Sequence, residues 1–199
     1  RFNNGEKGEK KEYSLINGKS VVRMALDAFL PLSELRRVVI TIPKGGEEAM
    51  KASLGEIESA IPISFIEGGA SRTQSISHAM EYLSSFSDYT LIAIHDGARP
   101  FIDRDTICNC LYAAESYGGA IPGIRVADAM KRADDEAFIV SSVDRNGVWR
   151  IQTPQIFQRD KILSIYSTLK ENESLNDDVS LFSPLGELVK LQKVNENII

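Results

Sequence analysis

Two rhythms of apolar residues alternate along the chain as far as Gly118. Residues 20–30 carry Val21, Val22, Ala25, Leu26 and Phe29 at helical spacing, and Pro31 stops the run. Residues 37–42 form a short stretch rich in β-branched side chains, which predicts a strand leaving through Pro43, Lys44, Gly45 and Gly46. A modest helix is predicted over 47–54 and a second strand over 61–66, exiting through Glu67, Gly68 and Gly69. Ser71 is placed to cap the next helix, with Gln74 as its capping-box partner and Ile76, Ala79, Met80 and Leu83 on the buried face. A third strand over 89–94 runs into His95-Asp96-Gly97-Ala98-Arg99-Pro100, and Asp103 caps a helix carrying Ile107, Leu111 and Ala114. Nearly all-apolar strands alternating with helices predict a parallel sheet covered on both faces.

The rhythm breaks after Gly119. Residues 120–124 read as a fourth central strand, and 127–136 as charged and turn-like. Residues 138–143 and 148–153 read as two ribbon strands joined through Asp144, Arg145, Asn146 and Gly147, because Asn-Gly is a strong hairpin signal. The stretch 125–150 is therefore expected to protrude as an arm and to pack on a partner subunit. A last helix is predicted over 159–169 and a last strand over 187–194. Residues 3–12 read as a polar loop. The opening Arg1-Phe2-Asn3 reads as the inside of a loop, so 1–199 is expected to be a single domain lacking its first strand.

Composition narrows the class. The 199 residues are 43% apolar and 26% charged, as in a globular domain with one core. No apolar run is long enough to span a membrane. With 23 Lys+Arg against 28 Asp+Glu the net charge is −5, which argues against nucleic acid as partner but leaves room for a local basic cluster binding a small polyanion. Cys108 and Cys110 lie two apart in a predicted helix and point to different faces, so buried thiols in a reducing, cytoplasmic setting are expected rather than a disulfide or metal pair.

Ligands of open parallel sheets bind beyond the carboxyl ends of the strands. Three glycine-bearing tips fall there: Lys44-Gly45-Gly46, Gly68-Gly69 and Asp96-Gly97. Glycines either end strands or let backbone N–H groups approach a ligand closely. The segment Gly68-Gly69-Ala70-Ser71-Arg72 opens a helix, where an arginine is unfavourable unless negative charge lies nearby. Asp96 can hold Mg²⁺ through phosphate and water, or form a plain turn pair with Arg99. His95 reads as structural. Arg1, Lys10, Lys11, Arg72, Arg99, Lys131 and Arg145 form a cationic set that only folding can gather. Neither phosphate-loop glycine motif, no nucleophile elbow and no His/Cys ligand cluster is present.

Several segments coincide with one family: GGASR (68–72) with Ser75, HDGARP (95–100), DAMKR (128–132), VDRNGVW (143–149), QTPQIF (152–157) and NDDVS (176–180). On these the chain resembles the 2-C-methyl-D-erythritol 4-phosphate cytidylyltransferases of the non-mevalonate isoprenoid pathway. The resemblance implies a Rossmann-like, mostly parallel α/β sheet with helices on both faces, of the nucleotide-diphospho-sugar transferase type, with a protruding β-arm. It implies cytidylyl transfer from CTP with Mg²⁺, in a homodimer joined by the arm. Arg1 and Lys11 would neutralise the triphosphate. Gly68, Gly69, Arg72, Ser75, Asp96 and Gly97 would bind the nucleotide, with Asp96 by the metal. Arg99, Ala129, Arg145 and Thr153 would handle the sugar-alcohol phosphate, Arg145 coming from the partner's arm. Ala129 stands where the family usually has Thr, and Lys10-Lys11-Glu12-Tyr13 where it has P-K-Q-[FY].

The chemistry fits the residues. A phosphate monoester is mostly dianionic at pH 7, so the nucleophile needs no general base. It needs relief of repulsion between two polyanions, which cations supply. The runner-up is a cytidylyltransferase acting on ribitol 5-phosphate or a related polyol phosphate. A non-enzymatic nucleotide sensor on the same fold is the reading from a different class.

Overall fold

The structure, a computed structural model, describes residues 11–169, 178–182 and 189–194. The described chain enters through a 3-10 turn at Lys11–Tyr13 and a small hairpin of β1 (Leu15–Ile16) and β2 (Lys19–Ser20). Asn17 and Gly18 turn it with φ of 51° and 80°, the two positive values that a two-residue hairpin turn requires. Ser20 then caps α1 (Val21–Asp27), its Oγ accepting from the Arg23 N–H at 3.2 Å. The helix ends at Asp27 rather than Leu30, and 28–31 turn away.

The predicted alternation follows: β3 (Val38–Ile42), α2 (Glu47–Leu54), β4 (Ile63–Glu67), α3 (Arg72–Ser84), β5 (Leu91–Ile94) and α4 (Arg104–Tyr117). Asp103 caps α4 by accepting from Thr106 N–H at 2.7 Å, and Gly118 ends it in the left-handed region. Beyond it lie β6 (Gly119–Arg125), β7 (Met130–Ala133), β8 (Ile139–Val143), β9 (Trp149–Ile151), β10 (Gln155–Gln158), α5 (Arg159–Thr168), a 3-10 turn at Val179–Leu181, and β11 (Lys190–Lys193).

The main sheet runs β11-β6-β10-β5, with β9 also on β6. It is mixed. β10 is antiparallel to both β5 and β6, so those two strands share a direction with the reversed β10 between them, and β11 is parallel to β6. β3 and β4 form a separate parallel pair. Both groups share a core, since Val39 of β3 packs against the hydrophobic cluster that includes Ile92 and Ile94 of β5. Adjacent residues of β10 show that helices cover both faces: Phe157 packs with Met80 of α3 and Ile162 of α5, whereas Ile156 packs with Cys110 and Ala114 of α4. Cys108 and Cys110 are free, and burial pushes the Cys110 thiol up to about 12.

Two expectations are corrected. The ribbon strand β8 pairs with β7, inside the segment read as charged and turn-like, and not with β9, which joins β6 of the main sheet. The turn between β7 and β8 is made by Asp134, whose Oδ1 accepts from the N–H groups of Glu136 and Phe138, with Ala137 at φ 67°. Strand β10 was not foreseen; it is four residues long and begins straight after the cis bond Thr153–Pro154. No residue of β7 or β8 is buried, and Phe138, Ile139 and Val140 are 65%, 69% and 59% exposed. The expected beginning of the last strand and the loop at 3–10 lie outside the described residues.

Candidate active site

The loop after β4 is fastened to the start of α3. Gly68 N–H donates to the Ile42 carbonyl at 2.7 Å, Gly69 N–H to Ser75 Oγ at 3.1 Å, and Ala70 N–H to Gln74 Oε1 at 2.8 Å. Ser71 Oγ caps the helix by accepting from Gln74 N–H at 3.1 Å. Gln74 thus reaches back to Ala70 and not to the capping residue, one position off the predicted box. The glycines are there for fit: a Cβ at Gly69 would lie 2.3 Å from Gln74 Cβ, and one at Gly68 would lie 2.8 Å from Ser75 Oγ. Gly97 is different, since a Cβ there would meet only Val22 Cγ2 at 3.5 Å. The N–H groups of 68–70 are therefore spent inside the loop. Of the two readings of these glycines, the one in which they shape the turn after the strand is the one these contacts fit.

Charge is concentrated where β5 ends. Asp96 Oδ1 lies 3.4 Å from Arg72 Nε and its Oδ2 3.1 Å from Arg99 Nε. Arg99 also donates to Gln152 Oε1. Arg72 Nη2 donates at 2.9 Å to Oδ2 of the fully buried Asp178. Burial works against the charge on Arg72, but the hydrogen bond and charge of Asp178, with the charge of Asp96, outweigh it and raise its pKa. The guanidinium stays charged in a site that is only about one-third open.

A second chain of bonds braces this loop from below. Thr153 Oγ1 accepts from Asp96 N–H at 3.2 Å and meets His95 Nδ1 at 3.0 Å, while His95 Nε2 meets the Arg99 carbonyl at 3.0 Å. One tautomer satisfies all three, with the proton on Nε2 and the threonine hydroxyl donating to Nδ1. Burial lowers the pKa of His95, favouring that neutral ring.

These groups face a cleft of about 1000 Å³. Arg72, Ser75, His95, Asp96, Gly97 and Arg99 form its polar side, and Val21, Ile76 and Ile94 supply apolar lining. The structure thus unites Arg72, Ser75, Asp96, Gly97 and Arg99 from among the predicted residues. Thr153 is adjacent but buried, its hydroxyl turned to His95 and Asp96. Lys11 is exposed and precedes Glu12, which lines the cleft, but does not itself line it. Ala129 and Arg145 do not line the cleft; they flank the β7–β8 hairpin, where both are exposed and Arg145 donates to the Ala127 carbonyl. Lys131 of β7 donates to Ser142 Oγ of β8 at 2.7 Å. Arg1 and Lys10 lie outside the described residues. Sequence reasoning missed the parts played by Gln152, Tyr166 and Asp178; NDDVS pointed to the last only as a matching string.

Two arginines that share one carboxylate at the exit of β5 are equipped to hold phosphates and to offset their charge. By class the chain is a nucleotidyltransferase of α/β fold. The family model "2-C-methyl-D-erythritol 4-phosphate cytidylyltransferase" matches residues 3–198, and the chain belongs to that family. It is 32% identical over 187 residues to the enzyme of that name from Caldanaerobacter subterraneus, covering 93% of this chain and 82% of the relative. It is also 32% identical over 190 residues to the bifunctional enzyme IspD/IspF of Gluconobacter oxydans, covering 95% of this chain but 46% of that longer protein. Among solved structures, 4-diphosphocytidyl-2C-methyl-D-erythritol synthase from Anaerococcus prevotii superposes with a TM-score of 0.80 at 25% identity, covering 94% of this chain and 85% of that one. The cytidylyltransferase of Thermus thermophilus gives 0.77 at 26%, covering 95% and 86%.

Proposed function

We propose that this chain transfers a cytidylyl group from CTP to 2-C-methyl-D-erythritol 4-phosphate, releasing pyrophosphate and 4-diphosphocytidyl-2-C-methyl-D-erythritol. The joining of Arg72, Asp96 and Arg99 in one cleft carries this reading. A phosphate oxygen of the sugar alcohol forms a bond to the α-phosphorus of CTP. The bond from that phosphorus to the bridging oxygen breaks, and its electron pair leaves on pyrophosphate. The attacking dianion needs no base, which agrees with a His95 committed to bracing the loop. The task of the chain is alignment and charge compensation.

Arg72 and Ser75 are assigned to the nucleotide, with Gly68, Gly69 and Gly97 shaping the loops that receive it. With the N–H groups of 68–70 engaged, the loop has carbonyl oxygens to offer, which suit the N4 amino donor of cytosine. Lys11 and Arg1 are assigned to the triphosphate, and Arg99 to the sugar phosphate. Thr153 acts there through Asp96 and His95.

A lone carboxylate shared by two arginines does not make a self-sufficient metal site, but it fits a cation that arrives already bound by phosphate oxygens. Asp96 is the residue that would hold Mg²⁺ together with CTP, and the ion when bound offsets charge on the transferring phosphate.

The arm is assigned to a homodimer. A two-stranded hairpin with no buried residue is marginal in water, and its exposed Phe138, Ile139 and Val140 give a second copy something to cover. In that dimer Arg145 and the segment at Ala129 reach the partner's cleft. The free cysteines fit a reducing compartment such as the cytoplasm. No helix among the described residues is long and apolar enough to cross a membrane.

Pyrophosphate release decides the matter. With CTP and Mg²⁺, 2-C-methyl-D-erythritol 4-phosphate is expected to give turnover, and ribitol 5-phosphate is expected to give at least about 100-fold less kcat/KM. Preference for ribitol 5-phosphate favours the other polyol reading, and no turnover with either favours a nucleotide sensor.

A further inference from the structure

We infer that Asp178 is a positioning residue for the nucleotide, acting through Arg72; the inference rests on the assignment of Arg72 to CTP. Asp178 is fully buried, a costly place for a carboxylate unless every oxygen is engaged. Both oxygens are engaged. Oδ1 accepts from the Tyr166 hydroxyl of α5, and Oδ2 accepts from Arg72 Nη2 of α3 at 2.9 Å. Its own N–H donates to Gln155 Oε1 of β10 at 3.0 Å. Just beyond it Phe182 stacks on Phe157 of β10, with centroids 4.4 Å apart and planes 11° from parallel. Besides Arg72, Asp178 is thus held by Tyr166 of α5 at its carboxylate and by Gln155 of β10 at its backbone, neither of which lines the cleft.

Arg72 spans two carboxylates of unequal firmness. Its contact with Asp96 is the longer one, at 3.4 Å, and Asp96 stands in the cleft, shared with Arg99 and open to an incoming ligand. The contact with Asp178 is shorter and beyond the reach of ligand or solvent. A ligand that takes hold of Asp96 loosens one anchor and leaves the other. Arg72 Nη1 is buried with no hydrogen-bond partner, so without Asp178 two guanidinium nitrogens lack acceptors and the side chain turns to find them. Asp178 therefore fixes the plane of the guanidinium at a place where sequence alone shows only a polar segment. Tyr166 is the support behind it. Burial, followed by the charge and hydrogen bond of Asp178, raises the phenol's pKa, so it remains a donor throughout the working pH range.

The test compares Asp178→Asn, Tyr166→Phe and Arg72→Ala, measuring KM for CTP and for the sugar phosphate separately, with circular dichroism to establish folding. Asp178→Asn is expected to raise KM for CTP about tenfold while KM for 2-C-methyl-D-erythritol 4-phosphate stays within about twofold. Tyr166→Phe is expected to move KM for CTP in the same direction by about threefold, and it decides the matter if Asp178→Asn does not fold. Equal loss for both substrates, or no change in KM for CTP in a folded variant, overturns the inference. If Arg72→Ala also leaves KM for CTP unchanged, the assignment of Arg72 has failed; if Arg72→Ala raises it and Asp178→Asn does not, only the role of Asp178 has failed.

Discussion

The two sides of the site are built on opposite plans. On the built side, Arg99, Asp96, Arg72, Asp178 and Tyr166 form one chain of contacts that runs from the cleft into the core, and His95 and Thr153 brace it from below. On the open side, Ala129 and Arg145 sit exposed beside a hairpin without a core, and Lys11, assigned to the triphosphate, is exposed next to the cleft-lining Glu12. The first plan gives charges a fixed direction before any ligand arrives. The second leaves them free to be oriented by something outside the chain. Preorganised charge is the more effective in stabilising a transition state, but it must be supported by buried partners. The arm has none of its own, which is why a second copy is part of the functional reading.

The contrast is sharpest when one residue is removed from each side. Arg99→Ala is expected to cost most, lowering kcat/KM about 100-fold or more. It leaves Asp96 and Gln152 short of a partner, so Tm is also expected to fall, by about 2–4 °C for each kcal/mol lost. Lys11→Ala is expected to lower kcat about 100-fold with Tm unmoved, because the side chain is exposed. A fall in Tm comparable to that of Arg99→Ala would erase the distinction. Arg145→Ala is expected to raise KM for the sugar phosphate about tenfold and to leave KM for CTP within about twofold. Equal losses for both substrates would contradict the arm's assignment. Ile139→Asp places a charge on the bare hairpin; sedimentation is expected to show a shift toward monomer with the far-ultraviolet spectrum unchanged. An unaltered sedimentation profile would remove that patch from the interface.

The smallest expected effect is a pH dependence. The folded chain holds the pKa of His95 below its usual 6.5, chiefly through burial, with the Arg99 charge adding to the lowering and the Arg99 carbonyl and the Asp96 charge opposing it. The unfolded chain therefore binds this proton more readily. The contribution of His95 to stability is complete above pH 6.5 and is lost as pH falls through the folded value. Urea midpoints at pH 5 and pH 7.5 are expected to differ less in His95→Asn than in the parent, and an unchanged difference would count against the neutral brace.

Much of the fold was legible because its signals are local. Ser71 and Asp103 cap the helices they were expected to cap, and the β-branched run in β3 became a strand. What failed depended on which segments meet. Asn146-Gly147 carries the same dipeptide as Asn17-Gly18, yet only the earlier pair makes a two-residue hairpin. At the later site only Gly147 has positive φ, and Asp144 Oδ1 accepts from Asn146 N–H at 3.0 Å, so the dipeptide returns the chain to β6 instead of closing a ribbon. Strand β10 is short, and its place between β5 and β6 is decided by long-range pairing. The cleft charges were legible because Arg72, Asp96 and Arg99 stand at strand exits. Asp178 was not, because its meaning comes from burial and from its bonds to Tyr166, Arg72 and Gln155.

Subunit mixing tests the contrast most directly. Arg72→Ala weakens the built side and Arg145→Ala the open side, so each variant alone is expected to keep about one tenth of the parent activity or less at limiting concentrations of both substrates. If each cleft takes Arg72 from one chain and Arg145 from the other, random exchange of equal amounts makes half the dimers mixed, each with one intact site, and activity returns to about one quarter of the parent. No recovery after verified exchange would contradict the account.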